Sequence, residues 1–169
     1  MTAQPVPNGS GYWGIDPGLD GGVAFVDRGE LVVCAPSPVR GAKGGHREHD
    51  IAALFDLLSQ NGRPICMEVA LGFKGSLAAR SMGRYYGMIE AFAFLRGRQL
   101  LMVRVHEWRR KMLTSTKRGG GLDAKERSLA EFRRLWPTHA YSTGRPKDGP
   151  MEAALMALYA SQRFSGAWF

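Results

Sequence analysis

The most constraining stretch of this sequence is an apolar run that ends on a carboxylate and is followed by a chain reversal. The run from Tyr12 predicts a buried strand that stops at Asp16, because Pro17-Gly18 breaks the pattern. A second apolar run starts after Gly21-Gly22, which predicts a tight hairpin. Asp16 is then expected at the end of a central strand, facing an open sheet edge, as a metal or phosphate site requires. The alternative is that Asp16 only caps a turn, since Asp before Pro-Gly is ordinary turn chemistry.

The rest of the pattern predicts an α/β fold. Three strands come first and are expected to form an antiparallel meander, and two later strands, each preceded by a helix, are expected to pair in parallel. The predicted strands are 11–16, 21–27, 30–35, 64–69 and 100–105, and the predicted helices are 48–60, 76–96, 106–113, 124–135 and one starting at Pro150. The expected architecture is therefore a mixed five-stranded sheet flanked by helices on both faces.

The length of 169 residues favours one domain, which we place at residues 11–169. Residues 1–10 are rich in Pro, Asn and Gly and are predicted to be a disordered tail. Residues 114–121 are basic and rich in glycine, and they are predicted to form a mobile loop.

The charge balance indicates a polyanionic partner. The chain has 23 Lys and Arg against 15 Asp and Glu, a net charge of +8, and the basic residues are concentrated in 40–47, 74–84, 96–118 and 133–147. A basic domain with interspersed carboxylates predicts nucleic acid as the simplest partner. The alternative is a charged surface that serves only solubility.

The cysteines and the hydropathy pattern predict a reducing, aqueous compartment. Cys34 and Cys66 each lie in a strand-like apolar run and are expected to be buried thiols, neither disulfide-bonded nor metal-bound. No segment reaches the length of a membrane span, and residues 1–10 lack the apolar core of a signal peptide. We therefore expect a soluble cytoplasmic protein with no membrane partner.

Four acids stand where chemistry explains them better than packing. Asp16 ends the first strand, Glu68 lies inside an apolar strand, and Asp148 and Glu152 share one face of the last helix. If the first and fourth strands are neighbours, Asp16 and Glu68 lie side by side, and the last helix can add its acids by crossing that edge. Clustered carboxylates repel one another unless a cation compensates, and all-oxygen ligands favour Mg²⁺ or Mn²⁺, here as two ions. The alternative is that each acid has only a surface or capping role. This alternative fits Glu68 poorly, because its neighbours are apolar, but it competes directly with the metal role for Asp148.

These features occur in the order seen in RuvC-type Holliday-junction resolvases. The segments that carry the resemblance are Gly14-Ile15-Asp16-Pro17-Gly18, the strand-borne Glu68, residues 121–136 with Asp123 and Lys125, and Lys147-Asp148-Gly149-Pro150-Met151-Glu152-Ala153-Ala154. The resemblance covers about residues 11–163 and looks strongest to the divergent bacteriophage-encoded members. The first motif is shared with other RNase H-like proteins, so the specificity comes from the ordered set.

The resemblance implies an RNase H-like fold, a homodimer and Mg²⁺-dependent symmetric nicking of two strands at a four-way DNA junction. It places Asp16, Glu68, Asp148 and Glu152 in the acidic active site. The last two acids are four residues apart here and three apart in bacterial RuvC; Glu152 matches the final acid best, and which of the two is the direct ligand stays open. Phe73 is the nearest candidate for the aromatic that the family inserts into the junction, although it could equally anchor its loop. The helix from Ser76, which is rich in small residues, is the favoured dimer element.

Further basic residues are candidates for phosphate contacts, with the shape of branched DNA supplying selectivity. They are Lys74, Arg80, Arg84, Arg109, Arg110, Lys111, Lys117, Arg118, Lys125 and Lys147. Each alone is as well explained as a solvated charge, and Lys147 is also a candidate for stabilising transition-state charge. His46 and His49 are predicted to be solvated, and His106 and His139 to be structural or phosphate-facing.

Two other functions fit the same residues. One is an RNase H-like nuclease for other branched DNA, such as flaps, or for structured RNA. The other is a module of this fold that binds nucleic acid without catalysis. The intact set of acids argues against the second, and a fold cannot settle the substrate.

Overall fold

A computed structural model describes residues 11–42, 45–69, 76–113, 123–144 and 147–164. The predicted tail at 1–10 and the predicted basic loop at 114–121 lie outside the described residues. The strands in these ranges are β1 (Tyr12–Asp16), β2 (Gly22–Asp27), β3 (Glu30–Pro36), β4 (Val39–Arg40), β5 (Glu48–His49), β6 (Ile65–Val69) and β7 (Leu100–Arg104). The helices are α1 (Ile51–Leu58), α2 (Ser76–Leu95), α3 (Val105–Met112), α4 (Ala124–Leu135), α5 (Ala140–Thr143) and α6 (Asp148–Phe164).

The main sheet has five strands in the order β3-β2-β1-β6-β7. β1, β2 and β3 pair antiparallel, and β1–β6 and β6–β7 pair in parallel. This confirms the predicted mixed sheet, and it meets the condition for Asp16 and Glu68 to lie side by side, because the first and fourth long strands are neighbours. β1 is central and carries the fully buried Trp13 and Ile15, as expected of a strand covered on both faces.

Helices cover the two faces unequally. On one face, α1 and α2 pack against Trp13 and Ile15 of β1 through Leu54 and Ile89. On the other face lies α6, in which every residue from Gly149 to Ser161 is buried. Since side chains alternate along a strand, the residues of β1 on the α6 face are Tyr12, Gly14 and Asp16. The alternation therefore turns the acid of β1 toward α6.

Local boundaries differ from the prediction in three places. The helix predicted from residue 48 begins at Ile51 because Asp50 caps it, accepting a hydrogen bond from the Ala53 amide at 3.2 Å. The preceding β5 instead pairs with β4 as a short two-stranded ribbon. The last helix begins at Asp148, and Pro150 fits its first turn, where amide groups have no partner inside the helix. The four-residue α5 lies within the predicted polar loop.

Both cysteines are free thiols. Cys66 is buried, as predicted, whereas Cys34 is only partly buried. Within the described residues, no helix has both the length and the apolar character that crossing a bilayer would require.

Candidate active site

Asp16 and Glu68 lie at the carboxyl ends of two neighbouring parallel strands. The register pairs Ile15 of β1 with Met67 of β6, so the two acids follow at the next position of each strand. The alternation that turns Asp16 toward α6 also turns Glu68 that way, because Cys66, two residues earlier, packs in the core beneath α6. Glu68 is buried and Asp16 is partly buried. The predicted pairing of these acids at one sheet edge is therefore present.

Glycines allow α6 to reach this edge. A side-chain carbon added at Gly14 of β1 would overlap the carbonyl oxygen of Ala153, and one at Gly22 of β2 would overlap the backbone of Pro150. The first turn of α6 also forms an isolated bridge between Gly149 and Gly21. Since α6 contacts the strands through backbone, its acids at positions 148 and 152 lie beside the strand ends.

The electrostatics indicate that the four acids share one site. The pKa of Asp16 is raised from 3.8 to about 7, first by burial and then by the charges of Glu68, Glu152 and Asp148, while Arg109 opposes the rise. The pKa of Glu68 is also raised, mainly by burial and further by Glu152, while the Trp108 hydrogen bond and Arg109 oppose the rise. Such mutual repulsion among carboxylates is what a bound cation relieves.

Three of the four acids, Glu68, Glu152 and Asp148, have a hydrogen-bond or ion-pair partner on α3 or α4. The indole nitrogen of Trp108 donates to Oε2 of Glu68 at 2.9 Å in a buried setting. Oε1 of Glu152 accepts from Arg109 at 2.7 Å and from the Ser128 hydroxyl at 3.0 Å. Asp148 is more exposed and pairs with the Lys125 ammonium at 2.8 Å. Trp108 and Arg109 belong to α3, and Lys125 and Ser128 belong to α4.

The sequence predicts no role at the acids for Trp108 or Ser128, and it predicts a different role for Arg109. Trp108 falls within the predicted helix 106–113, and Arg109 is among the basic residues predicted to contact DNA phosphates. The signal for Ser128 was available, because it lies four residues before Phe132 and thus on the buried face of α4. A polar residue on an apolar stripe needs a partner, and the Ser128 hydroxyl has two acceptors at 3.0 Å, the Ala124 carbonyl oxygen and Oε1 of Glu152.

The donor set fits a hard divalent cation. Carboxylate oxygens are the ligands that Mg²⁺ and Mn²⁺ prefer, and three neighbouring acids add to the burial that raises the pKa of Asp16. Nevertheless, in the described part of the chain no three His, Cys, Asp or Glu side chains converge as a ready metal cage. Oxygens of Glu152 and Asp148 are instead engaged by Arg109 and Lys125.

The other predicted DNA-binding residues are distributed over several elements. Arg80 and Arg84 are exposed on α2, and Lys147 is exposed just before α6. Arg110 and Lys111 line a separate cavity of about 360 Å³ with Tyr159 of α6. Phe73, Lys74, Lys117 and Arg118 lie outside the described residues.

The two neighbouring histidines differ from each other. His46 is exposed, as predicted. The prediction for His49 was wrong, because its ring lies against Tyr85 with the ring centroids 4.1 Å apart. The pKa of His49 is lowered by burial and by Arg47.

Comparison with known proteins identifies the fold. No protein-family model matches this chain, and no curated protein sequence does either. RuvC of Thermus thermophilus in complex with a Holliday junction substrate is structurally similar with a TM-score of 0.62 at 15% identity, over 93% of this chain and 97% of that chain. A second structure of Thermus thermophilus RuvC gives a TM-score of 0.57 at the same identity and coverage. The chain thus has the RNase H-like fold of RuvC, which confirms the predicted fold and the resemblance at the level of structure.

Proposed function

We propose that this protein is a metal-dependent, structure-selective DNA endonuclease that resolves four-way junctions by paired symmetric nicks. The observation that carries the proposal is the placement of the acids: Asp16 and Glu68 end neighbouring parallel strands, and Asp148 and Glu152 lie in the first turns of the helix that packs beside them, in a sheet with the RuvC fold. One of the similar RuvC structures holds a Holliday junction, which favours branched DNA as the substrate. The kinship to bacteriophage-encoded members and the cytoplasmic location belong to the same proposal.

The four acids would hold Mg²⁺, with Mn²⁺ as a substitute and two ions per site. Such ions supply an activated water and neutralise charge on the cleaved phosphodiester. Glu152 is the better candidate for a direct ligand, since it is buried beside Asp16 and Glu68, whereas Asp148 is partly exposed and paired with Lys125. Trp108 fixes the Glu68 carboxylate, and Ser128 fixes that of Glu152. Such supporting contacts hold ligands in one orientation.

The positively charged side chains beside the acids are suited to bind a phosphate. Arg109 and Lys125 each contact an acid of the cluster, so their charges lie close to where a scissile phosphate would approach. We propose that Lys125 and Lys147 contact the cleaved strand and that more distant basic residues bind the arms. The residues proposed for the arms are Phe73 as a wedge, with Lys74, Arg110, Lys111, Lys117 and Arg118, and Arg80 and Arg84 are proposed to contact the DNA nearer the cleaved phosphate.

The proposed assembly is a homodimer formed through α2. Phe94 and Leu95 near the end of this helix have 80% and 79% of their surface exposed. A side-chain carbon added at Gly83 or Gly87 would meet no other described atom within 4 Å. An exposed apolar end and a smooth glycine face are suited to close contact with a second copy, and two active sites are needed for two nicks.

The decisive experiment is cleavage of a labelled synthetic four-way junction with Mg²⁺, with Mn²⁺ and with chelator. Linear duplex, flap and RNA–DNA hybrid substrates serve as controls. The expected result is a pair of nicks at symmetric positions in the junction alone, both made within the lifetime of one complex, which also tests the dimer. Equal cutting of flaps, hybrids or structured RNA would instead indicate a broader nuclease. Tight binding without cutting under any metal would indicate a module that only binds nucleic acid.

Replacing Trp108 with Phe is expected to lower both stability and cleavage. The change leaves a buried Glu68 oxygen without its donor, which costs about 1–3 kcal/mol, and it leaves space beside a fully buried ring. Loss of a contact that orients a metal ligand typically costs about 10–100-fold in activity or metal affinity. Urea unfolding and the Mg²⁺ dependence of cleavage measure the two effects.

The matched control for this prediction is Trp136→Phe. The Trp136 indole donates to the carbonyl of Gly29 at 3.1 Å, away from the acids. It should lower stability and leave the Mg²⁺ dependence unchanged. Identical Mg²⁺ dependence in both variants would mean that Trp108 does not support Glu68.

A further inference from the structure

A second concave site lies between the β4–β5 ribbon and α2. Its volume is about 580 Å³, within the range of about 300–1,000 Å³ that is typical of ligand sites. Four arginines line it, namely Arg40 and Arg47 from the ribbon side and Arg80 and Arg84 from α2. Among its described lining residues Glu48 is the only acid. The cavity is thus built to receive an anion.

The two α2 arginines are the cations most available to a ligand. Arg80 and Arg84 are four residues apart and so share one face of α2, and neither forms an ion pair with another described residue. The ribbon arginines are partly engaged, because Arg40 pairs with Asp50 at 3.4 Å and Arg47 pairs with Asp20 at 3.0 Å.

The wall of the cavity also has an aromatic ring that a ligand can reach. His49 lines the cavity and is partly exposed, and its ring lies against Tyr85, which is only 2% exposed. The Tyr85 hydroxyl interacts with the Ser37 hydroxyl. A ligand with both an anionic group and an aromatic ring would match the arginines and the accessible face of His49.

The cavity adjoins the acid cluster. Arg47 donates to the Leu19 carbonyl oxygen at 2.8 Å and to Asp20 at 3.0 Å, and this loop directly follows Asp16 in the chain. The charge of Asp16 also contributes to the raised pKa of Tyr85, whose main cause is burial. We therefore take the substrate strand to pass from the acids over the loop that follows Asp16 toward the cavity.

We propose that this cavity is a nucleotide pocket that takes one unpaired nucleotide of the substrate strand next to the cleaved phosphate. The phosphate binds Arg80 and Arg84, and the base lies against the ring of His49. Stacking on aromatic rings combined with arginine–phosphate contacts is how proteins hold single-stranded nucleotides. This inference rests on the proposed function, because it assigns the pocket to that substrate. It also selects DNA that is locally unpaired, as at a branch point, over a continuous duplex.

The test is nuclear magnetic resonance of the histidine rings during titration in chelator, where no cleavage occurs. The probes are deoxyadenosine 5′-monophosphate, inorganic phosphate and deoxyadenosine. The chain has four histidines, so the His49 signal is identified by its loss in His49→Phe. We expect the nucleotide to shift this signal with an affinity at least about fivefold tighter than either fragment, since it alone makes both kinds of contact.

A variant tests the arginine half of the pocket. The double variant Arg80→Ala, Arg84→Ala is expected to weaken nucleotide binding more than tenfold. The control is Arg96→Ala, which removes one positive charge about 18 Å further along the helix axis from Arg84 and should bind normally.

Two outcomes overturn the proposal. If phosphate binds as tightly as the nucleotide, the cavity binds anions through charge alone and does not recognise the base. If the His49 signal does not move with the nucleotide, the cavity is not a nucleotide pocket. Both are measured without metal or cleavage, so they are distinct from a failure of the endonuclease proposal, which the junction assay reports.

Discussion

Replacing Asp16 with Asn is expected to abolish cleavage and, in the absence of metal, to make the protein more stable. The charges of Glu68, Glu152 and Asp148 all contribute to the raised pKa of Asp16. A neutral amide cannot supply the negative oxygen that holds a hard cation, so cleavage should fall by at least about a thousandfold, roughly 4 kcal/mol in the barrier. The same change removes a negative charge that burial and the neighbouring carboxylates destabilise, so the metal-free folded state should become more stable.

The gain in stability has a defined pH dependence. Because the pKa of Asp16 is raised to about 7 in the folded chain, from an ordinary value of 3.8, the folded state binds this proton more tightly than the unfolded state. The free energy of unfolding of the metal-free wild type should therefore fall as the pH rises from about 4 to about 7, by at most about 4 kcal/mol and by less where solvent screens the charge. Asp16→Asn should lack this decline.

Thermal unfolding between pH 4 and 8, in chelator and in Mg²⁺, measures these effects. At pH 8 without metal, Tm of Asp16→Asn should exceed that of the wild type by roughly 5–10 °C. Mg²⁺ should raise Tm of the wild type, since a ligand stabilises the state that binds it, and should leave the variant unchanged. Asp56→Asn, at an exposed site on α1, is the matched control and should follow the wild type.

The opposite result would be equally informative. A variant that is less stable than the wild type in chelator would mean that the Asp16 charge is compensated within the protein, for example by Arg109. Cleavage that survives the substitution would remove Asp16 from the proposed active site.

Replacing Gly14 with Ala is expected to cause the largest loss of stability of any methyl-sized change near the site. The added carbon would overlap the carbonyl oxygen of Ala153, and it would also crowd the amide of Ala157. Both partners are helix backbone, so relief requires α6 to move away from β1. Overpacking that displaces backbone costs typically about 1–3 kcal/mol and occasionally more. We expect about 4 kcal/mol here, because α6 forms the centre of one core face.

The consequence for function follows from the same contact. Moving α6 outward also moves Glu152 away from Asp16 and Glu68, so folded Gly14→Ala protein should need more Mg²⁺ for cleavage. Urea unfolding and an Mg²⁺ titration measure the two effects. The control is Gly62→Ala, where an added carbon meets no described atom within 4 Å, and stability should change by less than about 1 kcal/mol. Wild-type stability of Gly14→Ala would show that α6 does not depend on this close approach.

The sequence alone predicted those parts of the site that depend on local pattern. Alternation of side chains and the break at Pro17-Gly18 place Asp16 at a strand end, and an acid inside an apolar strand identifies Glu68. Helical periodicity places Asp148 and Glu152 on one face. The order of elements was predictable for the same reason, since each strand and helix has its own repeat.

Only the tertiary structure decided which groups surround the acids. Trp108 and Glu68 are 40 residues apart, Arg109 and Glu152 are 43 apart, and Ser128 and Glu152 are 24 apart. The β4–β5 ribbon, which with α2 forms the arginine-lined cavity, has strands of two residues each, too short for any repeat to be visible. Local periodicity determines which face of an element a residue occupies. Packing between elements that are distant in the chain determines which faces meet. That packing gives the acids their hydrogen-bond and ion-pair partners.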